Sequence, residues 1–104
     1  MSTPSDTGPL LAAVDERRLL ELERNAIRIP SSTFEEGELA DFYANYLAEI
    51  GLEVEMMEVA HPHEPGVKSR QPIARLAGSG SGPTLLLNGH MDLGCEMSGW
   101  TLDP

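Results

Sequence analysis

The stretch Thr84-Leu-Leu-Leu-Asn-Gly-His-Met-Asp92 constrains this chain most, because an apolar segment runs directly into two side chains suited to metal chemistry. Leu85, Leu86 and Leu87 show no alternation, which is how a strand covered on both faces reads, and Pro83 marks its start. The few residues between Pro83 and Gly89 are too short for a stable helix, so the segment is predicted to be a strand. In extended chain, residues i and i+2 project to one side, so His90 and Asp92 are expected together just past its end. Open α/β sheets place their ligands there.

A neutral imidazole can bind a metal through one nitrogen while a carboxylate holds the other N–H, fixing the tautomer and raising the ligand's basicity. The His-x-Asp spacing is short and recurs by chance, as a loop histidine beside a solvated aspartate. Its flanks shift the reading toward a site.

The 104 residues allow one small core, and seven Lys plus Arg against seventeen Asp plus Glu give a net charge of −10. With no basic stripe, nucleic acid and anionic membrane are poor partners. Cys95 is the single cysteine, so no internal disulfide forms and a reducing compartment is the simpler expectation. Neither a secretory signal nor an apolar run of the ~20 residues that span a bilayer is present. The expectation is a soluble cytoplasmic protein.

Met1 to Gly8 is rich in Ser, Thr, Pro, Asp and Gly, and residues 1–14 are expected to form a disordered tail. Asp15 can cap a helix to about Arg28, with Leu19, Leu22 and Ala26 on one stripe, and Pro30 stops it. Thr33-Phe-Glu-Glu36 has capping-box spacing and predicts the start of a second helix. Leu39, Phe42, Tyr43, Tyr46, Leu47 and Ile50 then form one apolar face, more naturally core than a ligand platform, and Gly51 sits where a left-handed C′ residue belongs. Leu52 to Met56 alternates as a strand, and Met56-Met57 shifts the phase, which predicts a bulge or the strand's end. His61-Pro-His-Glu-Pro-Gly66 reads as a loop whose histidines are solvated rather than ligands. Pro72 to Ala77 reads as another strand, and Gly78 to Pro83 as a flexible hairpin connection to the Leu85–Leu87 strand. A phosphate loop is excluded there, since neither Lys-Ser/Thr nor a helix follows the glycines.

Leu85-Leu-Leu-Asn-Gly-His-Met-Asp92 followed by Gly99-Trp-Thr-Leu-Asp-Pro104 resembles the co-catalytic dizinc exopeptidases and deacylases, such as acetylornithine deacetylase, succinyl-diaminopimelate desuccinylase, carboxypeptidase G and aminoacylase. Ile29-Pro30-Ser31, Glu35-Glu36-Gly37 and Ile73-Ala-Arg-Leu-Ala-Gly78 are similar to the same family's N-terminal region, so the resemblance runs from about Val14 onward. It implies an α/β fold in which residues 15–104 are the N-terminal portion of a zinc-exopeptidase-like catalytic domain, two helices and then about three strands of a mixed sheet. It implies His90 as a zinc ligand and Asp92 as the catalytic partner that orients it, in an enzyme that holds two Zn²⁺ ions, or Co²⁺. Substrates would be small peptides or N-acyl amino acids, and complete members are often homodimers.

The family's bridging carboxylate, its Glu pair, a further acidic ligand and a distant His all match positions beyond Pro104. Leu93-Gly-Cys-Glu-Met-Ser98 departs from the family's commoner continuation, and Cys95 and Glu96 are read as incidental rather than as ligands. The expectation is therefore an N-terminal fragment of a metal-dependent amide or peptide hydrolase, inactive by itself. The alternative is a non-catalytic remnant or acidic interaction module.

Overall fold

The computed structural model describes residues 6–93 and 98–101. Its elements are α1 (Gly8–Ala12), α2 (Glu16–Ile27), α3 (Gly37–Glu49), β1 (Glu53–Ala60) and β2 (Lys68–Arg75). The fold is mixed α/β: α3 packs on a two-stranded antiparallel sheet formed by β1 and β2. The expected disordered tail is partly wrong, because α1 gives residues 8–12 a helical turn with Pro9 in its opening positions. That helix buries none of its residues, and Leu10 and Leu11 stay exposed.

Local signals place the two longer helices. Asp15 caps α2 by accepting from the Arg18 N–H at 3.1 Å, and the helix ends at Ile27, before Pro30. Only Ala26 of its stripe is buried, Leu22 is half-buried and Leu19 is exposed, so α2 covers little. Arg18 lies over the Tyr46 ring at 5.6 Å and links α2 to α3.

α3 ends in a Schellman arrangement: Gly51 has φ +97°, its N–H donates to Ala48 O at 3.0 Å, and the Leu52 N–H donates to Leu47 O at 3.0 Å. Nothing lies within 4 Å of where a Gly51 side chain would start, so conformation alone selects glycine. Gly51→Ala is therefore expected to destabilise the chain by about 1–2 kcal/mol, read as a lower urea midpoint.

The start of α3 departs from the capping-box prediction. Glu36 occupies the N-cap position without a side-chain capping bond, and the helix begins at Gly37. Both side chains of the expected box have distant partners instead. The Thr33 hydroxyl donates to Asp92, and the buried Glu36 carboxylate accepts from the Ser69 hydroxyl at 3.2 Å. Arg70 ties β2 to the same end of α3, pairing with both Asp41 carboxylate oxygens at 2.8 and 2.9 Å and donating to Gly37 O at 3.2 Å. A side chain at Gly37 would meet that guanidinium at 3.0 Å.

β1 runs through Met57 to Ala60 in continuous register, from Glu53 opposite Arg75 to Ala60 opposite Lys68, so the expected bulge or early end does not form. β2 spans Lys68–Arg75 rather than residues 72–77, and it absorbs Pro72. The His61 N–H to Val67 O bond, 2.8 Å long, sets the pairing parity. Pro72 opposite Met56 then falls in a non-hydrogen-bonded pair, where its missing N–H faces the outer edge.

The predicted third strand is absent from the structure. Residues 83–92 join no strand ladder, with Leu85, Leu86 and Leu87 at 81%, 81% and 84% exposure. A strand needs a neighbour for its N–H and C=O groups; β1 and β2 pair with each other, and Pro72 removes a donor from the outer edge of β2. Gly78 to Pro83 bends at residues 80–82, with Gly80 at φ +88°, and joins no hairpin, because no described strand follows it. The real hairpin is the His61–Val67 loop between β1 and β2.

Candidate functional site

The segment carrying His90 and Asp92 is held by the loop that precedes α3. Buried Ser31 grips it twice: its hydroxyl donates to Met91 O at 3.1 Å and its carbonyl accepts the Leu93 N–H at 2.8 Å. Between those two bonds, the Thr33 hydroxyl donates to Asp92 Oδ2 at 2.9 Å. The other carboxylate oxygen, Oδ1, lies 3.2 Å from His90 Nδ1, and the Asp92 carbonyl oxygen lies 3.1 Å from the same nitrogen.

Both neighbours of His90 Nδ1 are acceptors, so in the neutral ring that nitrogen carries the proton and the Nε2 lone pair is left free. His90 is 83% exposed at its side chain and Asp92 38%, so the ring is fixed by bonding rather than by packing. The Thr33 hydrogen bond is the largest influence on the Asp92 carboxyl and holds it below the usual carboxylate range; partial burial opposes this and the His90 ring adds to it.

The sequence expectation that His90 and Asp92 come together is therefore met, although through a clasp and not at a strand's end. Ser31, Thr33 and Glu36 were missed as site residues. Their own spacing signals a helix start, and nothing local connects them to a segment some sixty positions away.

Beside this clasp lies a cleft of about 760 Å³ between α3, the sheet and residues 86–92. Tyr43, Leu47, Ile73 and Leu87 supply its apolar wall, and Glu36 and Ser69 its polar end. Burial raises the Tyr43 phenol above its ordinary value, and the charge of Glu23 adds to the shift. A smaller groove of about 360 Å³ along α2, between Arg17, Glu21, Arg24 and Arg28, shares no residue with the cleft. Glu21 interrupts its row of positive charge, so it carries no chemistry comparable to the clasp.

His61 is not a solvated loop histidine. Its Nδ1 accepts the N–H groups of His63 and Glu64 at 3.0 and 2.9 Å, which caps the hairpin loop, and its ring lies 4.3 Å from that of Phe34. His63 is exposed, as expected. Cys95 and Glu96 lie outside the described residues. Among the described residues, no three His, Cys, Asp or Glu side chains group closely enough to hold a metal ion. What is present fits one liganding nitrogen with its orienting carboxylate, not a whole metal site. No described helix is long and apolar enough to cross a membrane.

Comparison with protein-family models, with curated proteins and with solved structures finds no match for this chain.

Proposed function

We propose that this chain belongs to a metal-dependent hydrolase of amide bonds, acting on small peptides or N-acyl amino acids, with a zinc-exopeptidase-like domain. The observation that carries the reading is the pair of acceptor oxygens placed at His90 Nδ1. Two acceptors on Nδ1 leave Nε2 as a free donor for a metal, with a carboxylate behind the ring to strengthen it. Zinc or cobalt, when bound, polarises a carbonyl and activates water. The task of His90 is to hold that ion through Nε2, and the task of Asp92 is to keep the proton on Nδ1.

Among the described residues, one such nitrogen falls short of the roughly three protein ligands of a catalytic zinc, so the isolated chain is proposed to lack turnover. A cytoplasmic location and assembly as a homodimer belong to the same proposal. The same shortfall favours a second reading, an acidic non-catalytic interaction module, consistent with the net charge of −10.

Zinc titration followed through the His90 imidazole resonances tests the first reading. Zinc is expected to shift those resonances at Nε2, and the response is expected to weaken by ~10–100-fold in Asp92→Asn. Overall zinc affinity should fall in His90→Ala. Equal zinc affinity in His90→Ala and the unaltered chain would refute the ligand assignment and leave the interaction module as the better reading. An unchanged response in Asp92→Asn would remove the orienting role.

A further inference from the structure

We propose that Thr33 is the positioning residue of this site: its hydroxyl fixes the rotation of the Asp92 carboxylate, and through it the tautomer and direction of His90. The role of His90 as a ligand rests on the function proposed above; the positioning does not.

The terminal torsion of an aspartate side chain is broad and roughly two-fold, so a partly exposed carboxylate turns freely unless both oxygens are engaged. Here they are engaged on opposite sides, Oδ2 by the Thr33 hydroxyl at 2.9 Å and Oδ1 by His90 Nδ1 at 3.2 Å. Without Thr33, the carboxylate's remaining partners among the described residues are its own backbone N–H and the histidine it is meant to orient. An exposed imidazole cannot serve as that anchor.

Thr33 is suited to the task by its own restraint. Its β-branched side chain is stiff at χ1. Its backbone sits in a tight turn closed by the Glu35 N–H to Ser32 O bond at 2.7 Å, and Phe34 at the turn's third position has φ +64°, the only positive φ among the described non-glycine residues. Turns with positive φ at that position favour Gly or Asn, and a bulky residue there is held by its surroundings at a cost of about 1–2 kcal/mol. The contact of the Phe34 ring with His61 supplies such a surrounding. Backbone strain is thus placed one residue from the hydroxyl that reaches the site.

The clasp divides into separable parts. Ser31 aligns the two backbones through Met91 O and the Leu93 N–H, whereas the Thr33 hydroxyl bonds the carboxylate. Thr33→Val keeps the shape and branching and deletes the hydroxyl, and Thr33→Ser restores it. The measurement is the ¹⁵N shifts of the His90 imidazole in the metal-free chain, at alkaline pH where the ring is neutral, with the Leu93 amide as a monitor of the backbone clasp. In Thr33→Val the Nδ1–H fraction is expected to fall, the Asp92 carbonyl alone keeping part of it, while the Leu93 amide stays hydrogen-bonded, and Thr33→Ser is expected to recover it. In a parallel zinc titration, Thr33→Val should bind ~10–100-fold more weakly at His90. An unchanged tautomer ratio in Thr33→Val would overturn the proposal. So would loss of the Leu93 hydrogen bond in that variant, since Thr33 would then be holding the loop instead of the carboxylate. If the tautomer responds but zinc does not bind at His90, the metal reading fails and the positioning role stands.

Discussion

Leu39→Ala is expected to unfold a large share of the chain at room temperature. The described hydrophobic residues that are truly buried are Ala26, Leu39 and Ala40, and Leu39 is the one large side chain among them, at 4% exposure. It sits in the first turn of α3, beside the contacts with Ser69 and Arg70 that dock this helix on β2. Ala40, fully buried beside it, leaves no flexible side chain to collapse into the space. A buried Leu→Ala substitution costs about 2–5 kcal/mol, and a domain of this size has total stability of roughly 5 kcal/mol at the lower end of the usual range. Urea melts measure the effect, with Leu20→Ala, at a half-exposed position on α2, as the reference. The reference should move by no more than about 0.5 kcal/mol. If the two variants shift the midpoint equally, Leu39 is not the keystone of this core.

Replacing Leu85, Leu86 and Leu87 together by serine is expected to abolish self-association of the chain. Three consecutive leucines, each more than four-fifths exposed, form an apolar segment outside any strand ladder, which is the composition of an aggregating edge. Burying a leucine side chain contributes about 1.5–3 kcal/mol, so the three together supply roughly 4–9 kcal/mol toward association before its entropic cost. The net charge of −10 opposes this, and added salt should therefore strengthen the association. Leu10 and Leu11 form a second exposed apolar pair, so Leu10→Ser with Leu11→Ser serves as the control that should leave association in place. Sedimentation velocity across a concentration series reads both outcomes. A sharply monomeric unaltered chain at every concentration would remove the premise.

The elements legible in the sequence are those written in neighbouring residues. Asp15 capping α2 and Gly51 ending α3 are settled within one turn of helix, and the structure places both where local chemistry puts them. The His90–Asp92 pair was legible for the same reason, being two positions apart. Errors fall where a residue has a choice between a near partner and a far one. Thr33 had the spacing for a capping box, in which its oxygen would accept from the first helical N–H groups, but α3 starts only at Gly37 with Glu36 at the N-cap, and the Thr33 hydroxyl donates instead to the Asp92 carboxylate. Met57 broke the alternation of β1 without breaking its pairing, because β2 supplies a full complement of ladder partners through that point. Leu85 to Leu87 had the composition of a buried strand and lacked the neighbour that makes one. Composition specifies what a segment can become; pairing is decided by the rest of the chain.

The Ser31 and Thr33 bonds to residues 91 and 92 join points 60 and 59 positions apart in the chain. Closing a free loop of that length costs roughly 3–4 kcal/mol in chain entropy, and the three hydrogen bonds of the clasp return about 1 kcal/mol each. The two sums nearly cancel, so the clasp cannot draw its own ends together from an unfolded chain. It closes only after α3 and the β1–β2 hairpin have already shortened the path between them. The His90–Asp92 geometry is thus the last part of the molecule to assemble and the first to come apart, and any substitution that loosens the hairpin disconnects the histidine from its threonine before the helices themselves begin to melt.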